Sequence, residues 1–478
     1  MLLNRRRSFF ILLLLFLLII PVYAAEEARS INGSCDMRIY GERADTLLDG
    51  NLRSHSKVHY GTEVTLRSSE LIGGLYLQFS VHPGEWTLSY GDRTVSCGAD
   101  GFLHAYIPEL NTYSLTLRFS GEGILANVYA LSPGEKPDWV QDWQKSWDKA
   151  DVLLLPAHSD DDTLFFGGII PWCIDRGARV QVAYLISHLD DPSRRNELLN
   201  GLWESGLRNY PVLGEWEDKG PDEDVNKQIG FYAEDGVSYE QMLLSTVRLY
   251  RRFKPQVVIC HDQDGEYGHG AHKLSFRLAT EAITLSGNGN VDGSSAVRNG
   301  VWIPEKLYVH LWKERPVVID LDEPLRSFDY KTGYELAQRA FAQHGSQYDY
   351  FAWYFWGAPT ASKLGQYSSR EYGLYYSSVG DDLTGKSFFD NLTLYDAAYP
   401  AEEASPEAEA PAEETKSEPE AQSVHTAPSA VAPINPRLAE IHAEQRTLTL
   451  CICALAVLIV VLLSILVKLK SKERGNRS

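Results

Sequence analysis

Two short stretches concentrate the side chains that could do chemistry. In the first, the apolar run Val152 to Leu155 leads into His158-Ser159-Asp160-Asp161-Asp162. The run reads as a buried parallel strand. Three adjacent carboxylates beside a histidine at the end of such a strand are costly unless a cation neutralises them. His158 and Asp161 stand three apart, so one turn can aim a nitrogen and an oxygen at a common point, a ligand mix that suits a divalent metal. A helix N-cap would explain Asp160 to Asp162 near a helix dipole but leaves His158 unexplained. In the second stretch, Gln256 to Cys260 runs into His261-Asp-Gln-Asp-Gly-Glu-Tyr-Gly-His-Gly-Ala-His272. His269 and His272 have metal-ligand spacing. One such pair is a weak signal, whereas His-x-x-Asp and His-x-x-His at two strand ends make a much stronger one.

These clusters need a scaffold that brings two strand ends together. A Rossmann-like, doubly wound parallel α/β sheet with strand order 3-2-1-4-5 does so, because strands 1 and 4 meet at its topological switch point. Counted from Val152, the two stretches end strands 1 and 4. Val180 to Ile186 reads as strand 2 and Leu307 to Leu311 as strand 5. Helices are expected from Thr163, over Arg194 to Leu207, over Tyr239 to Phe253, from near Lys273, and over Tyr330 to His344.

Ala157-His-Ser-Asp-Asp-Asp162 resembles the Ala-His-Pro-Asp-Asp-Glu motif of the PIG-L/LmbE-like zinc de-N-acetylases. Gly265-Glu-Tyr-Gly-His-Gly-Ala-His272 resembles their Gly-x-Tyr-Gly-His-x-x-His motif. The likeness covers roughly Ala150 to Asn391, with Ser159 in place of Pro and Asp162 in place of Glu. It implies Zn2+, or another divalent ion such as Fe2+, held by His158, Asp161 and His272. Asp160 would be the general base, His269 would stabilise the oxyanion or protonate the departing amine, and Tyr267 is a candidate oxyanion donor. Arg194 and Glu197 match an Arg-x-x-Glu of the family and, with His261, are expected at the substrate; a helix-start ion pair is the alternative for the first two. His188 is expected to be structural. His344-Gly-Ser-Gln347 resembles a late stretch of the family, and the aromatic run Tyr348 to Trp356 reads as either a sugar-binding wall or a packed lid. The implied reaction is hydrolysis of the N-acetyl amide of an N-acetylglucosamine-containing glycan or glycolipid. An inactive glycan-binding protein and an amidase for a non-sugar acyl amine are the competing readings.

The other segments have their own signatures. The chain has 478 residues, 44% of them hydrophobic, and a formal charge of −19, which argues against a nucleic-acid partner. Residues 1–24 read as a signal peptide: Arg5 to Arg7, an apolar core, and Val22-Tyr-Ala24 as cleavage site. Residues 25–132 alternate with period two between Gly and Pro turns and read as a β-sandwich. Asp49-Gly-Asn51 with Leu71-Ile-Gly-Gly-Leu75 resembles discoidin-type modules, implying carbohydrate binding. Trp86 reads as core or as a sugar-stacking indole, and Cys35 and Cys97 as a plausible disulfide or as two buried thiols. Trp139 to Trp147 is expected to form a short amphipathic helix leading into the catalytic domain, 138–396. Residues 397–447, rich in Ala, Glu and Pro, read as an extended, disordered linker. Leu448 to Val467 carries no charge and, at ~1.5 Å per residue, matches a hydrocarbon core of ~30 Å. The basic tail 468–478 places that end in the cytoplasm by the positive-inside rule, and hence the folded domains outside the cell membrane.

Overall fold

The computed structural model describes residues 26–395 apart from 190, 192 and 221. The expected signal peptide, linker, membrane span and basic tail lie outside the described residues. Among the described residues no helix is long and apolar enough to cross a membrane.

The N-terminal part is built from β1 (Cys35–Ile39), β2 (Glu42–Arg43), β3 (Ser56–Val58), β4 (Glu63–Ile72), β5 (Gly74–Val81), β6 (Trp86–Tyr90), β7 (Arg93–Cys97), β8 (His104–Ile107), β9 (Thr112–Phe119) and β10 (Gly123–Leu131). They form two antiparallel sheets, β2-β1-β4-β9-β6-β7 and β3-β10-β5-β8. Alternate residues such as Val64, Leu66, Leu75, Leu77, Phe79, Trp86, Leu88, Leu115 and Leu117 fill the core. Trp86 is fully buried, so its indole serves packing. The possible disulfide is excluded. Cys35 in β1 and Cys97 in β7 are free thiols, four strand positions apart in one sheet. At ~4.8 Å per position that is roughly 19 Å, well beyond the Cα separation a disulfide spans.

The second part contains β11 (Val152–Leu155), β12 (Val180–Val182), β13 (Val257–Cys260), β14 (Lys306–His310), β15 (Pro316–Val318) and β16 (Glu371–Ser377). Its helices are α1 (Ile169–Asp175), α2 (Ser193–Glu204), α3 (Val225–Glu234), α4 (Tyr239–Phe253), α5 (Gly270–Ser286), α6 (Gly293–Asn299), α7 (Gly333–Phe341) and α8 (Tyr348–Phe351). The sheet order is β12-β11-β13-β14-β16-β15. The first four strands are parallel, and β11 and β13 are neighbours with Leu155 opposite Cys260. β11 and β13 are continuous apolar runs because both faces of the sheet are covered.

The outer lanes depart from the expected order. The place of a third strand beyond β12 is taken by parallel bridges from Ala183 and Ile186 to Val212 and Trp216. At the other edge β16 runs antiparallel to both β14 and β15. Residues 139–147 hold no helix: 139 and 140 close a turn, with the Val140 amide donating to the Pro137 carbonyl, and 141–147 follow without helical structure. Gln144 bridges Asn209 in parallel, and Gln141 and Trp143 are buried while Asp142 and Gln144 are exposed, the period of a strand. The helix expected from Thr163 begins only at Ile169, because the turn before it is committed to the site.

Candidate active site

The site is built where β11 and β13 end side by side. After Pro156-Ala157 the chain turns back on itself. The His158 amide donates to the Asp161 carboxylate at 2.7 Å, and the Thr163 amide and hydroxyl donate to the Asp160 carbonyl at 3.0 and 2.8 Å. All of His158 to Asp162 is buried. Opposite, Gly265 at φ 66° and Gly268 at φ 84° bracket Tyr267, itself at φ 46°. A non-glycine residue in this region is strained, and the surroundings must hold it there.

Glu266 supplies that hold. One of its carboxylate oxygens accepts from His261 Nδ1 and His272 Nδ1, both at 2.7 Å, and the other from His310 Nδ1 at 2.5 Å. All four residues are fully buried. These bonds fix tautomers: with Nδ1 protonated, the Nε2 of His261 and of His272 is bare. His261 Nε2 accepts the Ala157 amide at 2.9 Å and is thereby occupied. His272 Nε2 instead faces the first cluster, where its partner is His158 Nδ1. It lies 3.2 Å from His158 Nδ1 and 3.4 Å from Asp161 Oδ1, and His158 Nδ1 is 3.4 Å from Asp161 Oδ2.

A triangle of two imidazole nitrogens and one carboxylate, which turns a different oxygen to each ring, fits a divalent cation with an open coordination position. Two overlapping groups, His158-His269-His272 and Asp161-His261-His272, also have donor atoms within 4.8 Å of one another. His261 is excluded by the Ala157 bond, and His269 Nδ1 already accepts the Ala271 amide at 3.2 Å. Electrostatics point the same way. Burial opposes a charge on His158, yet Asp161 and Asp218 outweigh it and push its pKa up to about 9. Burial likewise opposes ionisation of Asp161, but His272 and His261 hold its carboxyl well below the usual range. The cluster attracts positive charge, which protons or a metal can supply. His158 Nε2 is buried with no hydrogen-bond partner, Asp218 being 3.8 Å away.

The triangle opens into a cleft lined by His158, Asp160, Asp161, Arg194, Asp218, Tyr267, His269, Gln347 and Phe351 with Leu164 and Phe165. Burial raises the pKa of Asp160, Arg194 at 3.3 Å partly offsets this, and Asp161 adds to it. Burial and the neighbouring His158 and His272 depress His269 to about 3, so its ring is neutral. Because His269 Nδ1 accepts from Ala271, its proton sits on Nε2. Burial and the charge of Asp161 raise the Tyr267 hydroxyl, which keeps its proton.

Residues 153–283 match the family model PIG-L, described as GlcNAc-PI de-N-acetylase. The chain carries a PIG-L domain. Two relatives share the name 1D-myo-inositol 2-acetamido-2-deoxy-alpha-D-glucopyranoside deacetylase. The one from Streptomyces scabiei is 29% identical over 159 residues, 28% of this chain and 48% of that protein. The one from a Mycobacterium species is 30% identical over 155 residues, 28% of this chain and 49% of that protein. The chain thus spans about half the length of these curated relatives. The N,N'-diacetylchitobiose deacetylase from Pyrococcus horikoshii overlaps 49% of this chain and 86% of its own, at 16% identity and a TM-score of 0.34, too slight a likeness to carry an argument.

Within and around the PIG-L domain, the expected residues His158, Asp160, Asp161, Arg194, Tyr267, His269 and His272 converge. Glu197 does not reach the cleft. It accepts from the Ser346 amide and hydroxyl at 2.9 and 2.5 Å and so anchors the loop that presents Gln347. His261 is corrected: it has no exposed surface and both ring nitrogens are engaged, so it supports the site from beneath instead of touching substrate. His188 accepts the Ser159 amide at 3.3 Å and does not line the cleft. Two residues escaped the sequence reading, Glu266 and Asp218, and a third, Phe351, was covered only through its aromatic run. Glu266 lies inside a recognised motif, but its role needs His310 on another strand. Asp218 sits in a loop without pattern. Phe351 belongs to the aromatic run and forms one wall of the cleft.

Proposed function

We propose that this protein is a metal-dependent de-N-acetylase acting on N-acetylglucosamine-containing glycans or glycoconjugates. The observation that carries the reading is the triangle of His158, Asp161 and His272, with the buried carboxylate of Asp160 beside it in an open cleft. Zinc suits these ligands, as does ferrous iron. A divalent ion there would polarise the amide carbonyl and lower the pKa of a bound water to about 7.

The chain's own residues account for the rest. An acetamide resists hydrolysis because water is a poor nucleophile and an amine a poor leaving group. Asp160, its pKa raised by burial, accepts the proton of the attacking water. Arg194 orients that carboxylate and limits the rise. As the C–O bond forms, negative charge grows on the carbonyl oxygen. The neutral His269 Nε2–H and the Tyr267 hydroxyl are donors on the cleft wall suited to meet it. The proton held by Asp160 then passes to the nitrogen as the C–N bond breaks, giving acetate and a free amine. The resemblance allowed His269 two roles, and its neutral, Nε2-protonated form favours the oxyanion role over that of acid.

We further propose that the domain works outside the cell membrane, tethered by the segment 448–467. The basic residues that follow this uncharged run support the orientation. The test of the chemistry is acetate release by the purified full-length protein from a panel of N-acetylated sugars and glycolipids. Asp160→Asn should retain the metal and lose ~10²-fold or more in kcat. Failure to release acetate from any N-acetylated amino sugar overturns the reading.

A further inference from the structure

The aromatic run 348–356 divides into two faces. α8 continues into a 3₁₀ turn, Ala352–Phe355. In both kinds of helix residues three apart share a face. One face points inward. Phe351 packs on Tyr267 at 6.1 Å and Tyr354 on Phe165 at 5.7 Å, while the Tyr354 hydroxyl donates to the Tyr367 carbonyl at 2.8 Å. Phe355 packs against Phe341 at 5.5 Å. That half is a packed wall of the site. The other face reads Gln347, Tyr350, Trp353, Trp356, again every third residue. Gln347 lines the cleft. Tyr350 is 72% exposed, Trp353 41% and Trp356 76%. Three large aromatic rings left in water, in line with a cleft residue, mark an interaction surface.

We propose that this stripe is an extended-substrate platform: it stacks the sugar rings that flank the N-acetylated residue in a linear glycan, so the enzyme acts on chains of several sugars. The proposal rests on the deacetylase reading. Continuity with the cleft identifies the occupant, since a chain threading out past Gln347 and Phe351 meets Tyr350 next. Tyr350 lies in α8, Trp353 in the 3₁₀ turn and Trp356 at its C-cap; three residues of α or 3₁₀ helix advance ~4.5 to 6 Å, a step comparable to one pyranose in a chain. Tyr and Trp offer a flat apolar face with a polar edge, which suits the C–H face and hydroxyl rim of a pyranose. Charge disfavours the other occupants. No Lys or Arg lies between Arg339 and Lys363, and Asp349 sits among the rings. An anionic bilayer would want a basic surround.

The test is calorimetric binding of β-1,4-linked N-acetylglucosamine dimer, tetramer and hexamer to the full-length protein carrying Asp160→Asn, which blocks turnover. Affinity is expected to rise from dimer to hexamer. Trp353→Ala combined with Trp356→Ala should reduce that rise at least tenfold, and Trp356→Tyr should restore part of it, as a merely unfolded variant would not. A rise with chain length unchanged by both substitutions, or no rise at all, overturns the platform. Quenching of the stripe's tryptophan fluorescence by brominated phosphatidylcholine around the full-length protein, lost in the double variant with oligosaccharide affinity intact, overturns it in favour of a membrane contact. Acetate release is measured in parallel with Asp160 intact. Stripe-dependent binding without acetate release would defeat the deacetylase reading alone and leave the platform standing.

Discussion

Glu266 organises three imidazoles with two oxygens, and its loss should be felt at the metal before it is felt in the fold. Glu266→Gln keeps the shape but removes the charge and one acceptor, so His261, His272 and His310 can no longer all donate to it. His272 then loses the fixed tautomer that leaves Nε2 bare. The expected result is a 10- to 100-fold weaker affinity for Zn2+, read by competition with a chelator. An unchanged affinity would mean that His272 is oriented by something else. Directly at the ligands, His272→Ala should purify with little or no bound metal, and full occupancy would remove His272 from the ligand set. The candidate ligands were legible in the sequence because each set lies in one local turn. Glu266 was visible only as part of a motif, since its function depends on His310, which β14 brings back from elsewhere in the chain. Asp218 had no signal at all: a carboxylate in an irregular loop looks like solvated surface until the fold seats it beside His158.

At the level of elements, α2 has two working faces. One carries Arg194 to Asp160 and Glu197 to the Ser346 loop. The other carries Asn196, whose amide donates to Ser80 and whose carbonyl oxygen meets His104 Nε2, both at 2.8 Å; His104 Nδ1 in turn bonds the Tyr76 hydroxyl at 2.8 Å. Strand β5 therefore supports the helix that aims Arg194. This was hard to read in advance. Leu75, Leu77 and Phe79 mark the core face of β5 plainly, but Tyr76, Gln78 and Ser80 between them look like a solvent face. They are in fact buried. The discoidin resemblance of 25–132 implied a separate carbohydrate-binding module, and its bonds to the helix that aims Arg194 give a further expectation. Deleting 26–132 should lower kcat/KM on small and polymeric substrates alike; a loss confined to polymers would restore the separate-module view. Burial lowers the pKa of His104 from 6.5 to about 4. The folded protein keeps this ring neutral while the unfolded chain takes up the proton first. The stabilisation is therefore complete above pH 6.5 and drains away as pH falls toward 4, by on the order of 3 kcal/mol. Denaturation midpoints at pH 7 and pH 4.5 should differ less in His104→Gln than in the native sequence.

At the scale of the whole molecule, the segments beyond the folded part set where the chemistry takes place. Between the last described residue, Tyr395, and the uncharged run from Leu448 lies a stretch dominated by Ala, Glu and Pro. The sequence reading of this stretch as a linker predicts that a protease cuts it. Lys468, Lys470, Lys472, Arg474 and Arg477 follow the apolar run closely. In the orientation we propose, the cleft would lie on the outer side, where a polymeric glycan could reach the exposed rings of Tyr350, Trp353 and Trp356. A protease added to intact cells should therefore release one large fragment containing both folded parts, and that fragment should keep its deacetylase activity. Protection of the globular part until the cells are lysed would reverse the orientation and remove surface glycans from the reach of the site.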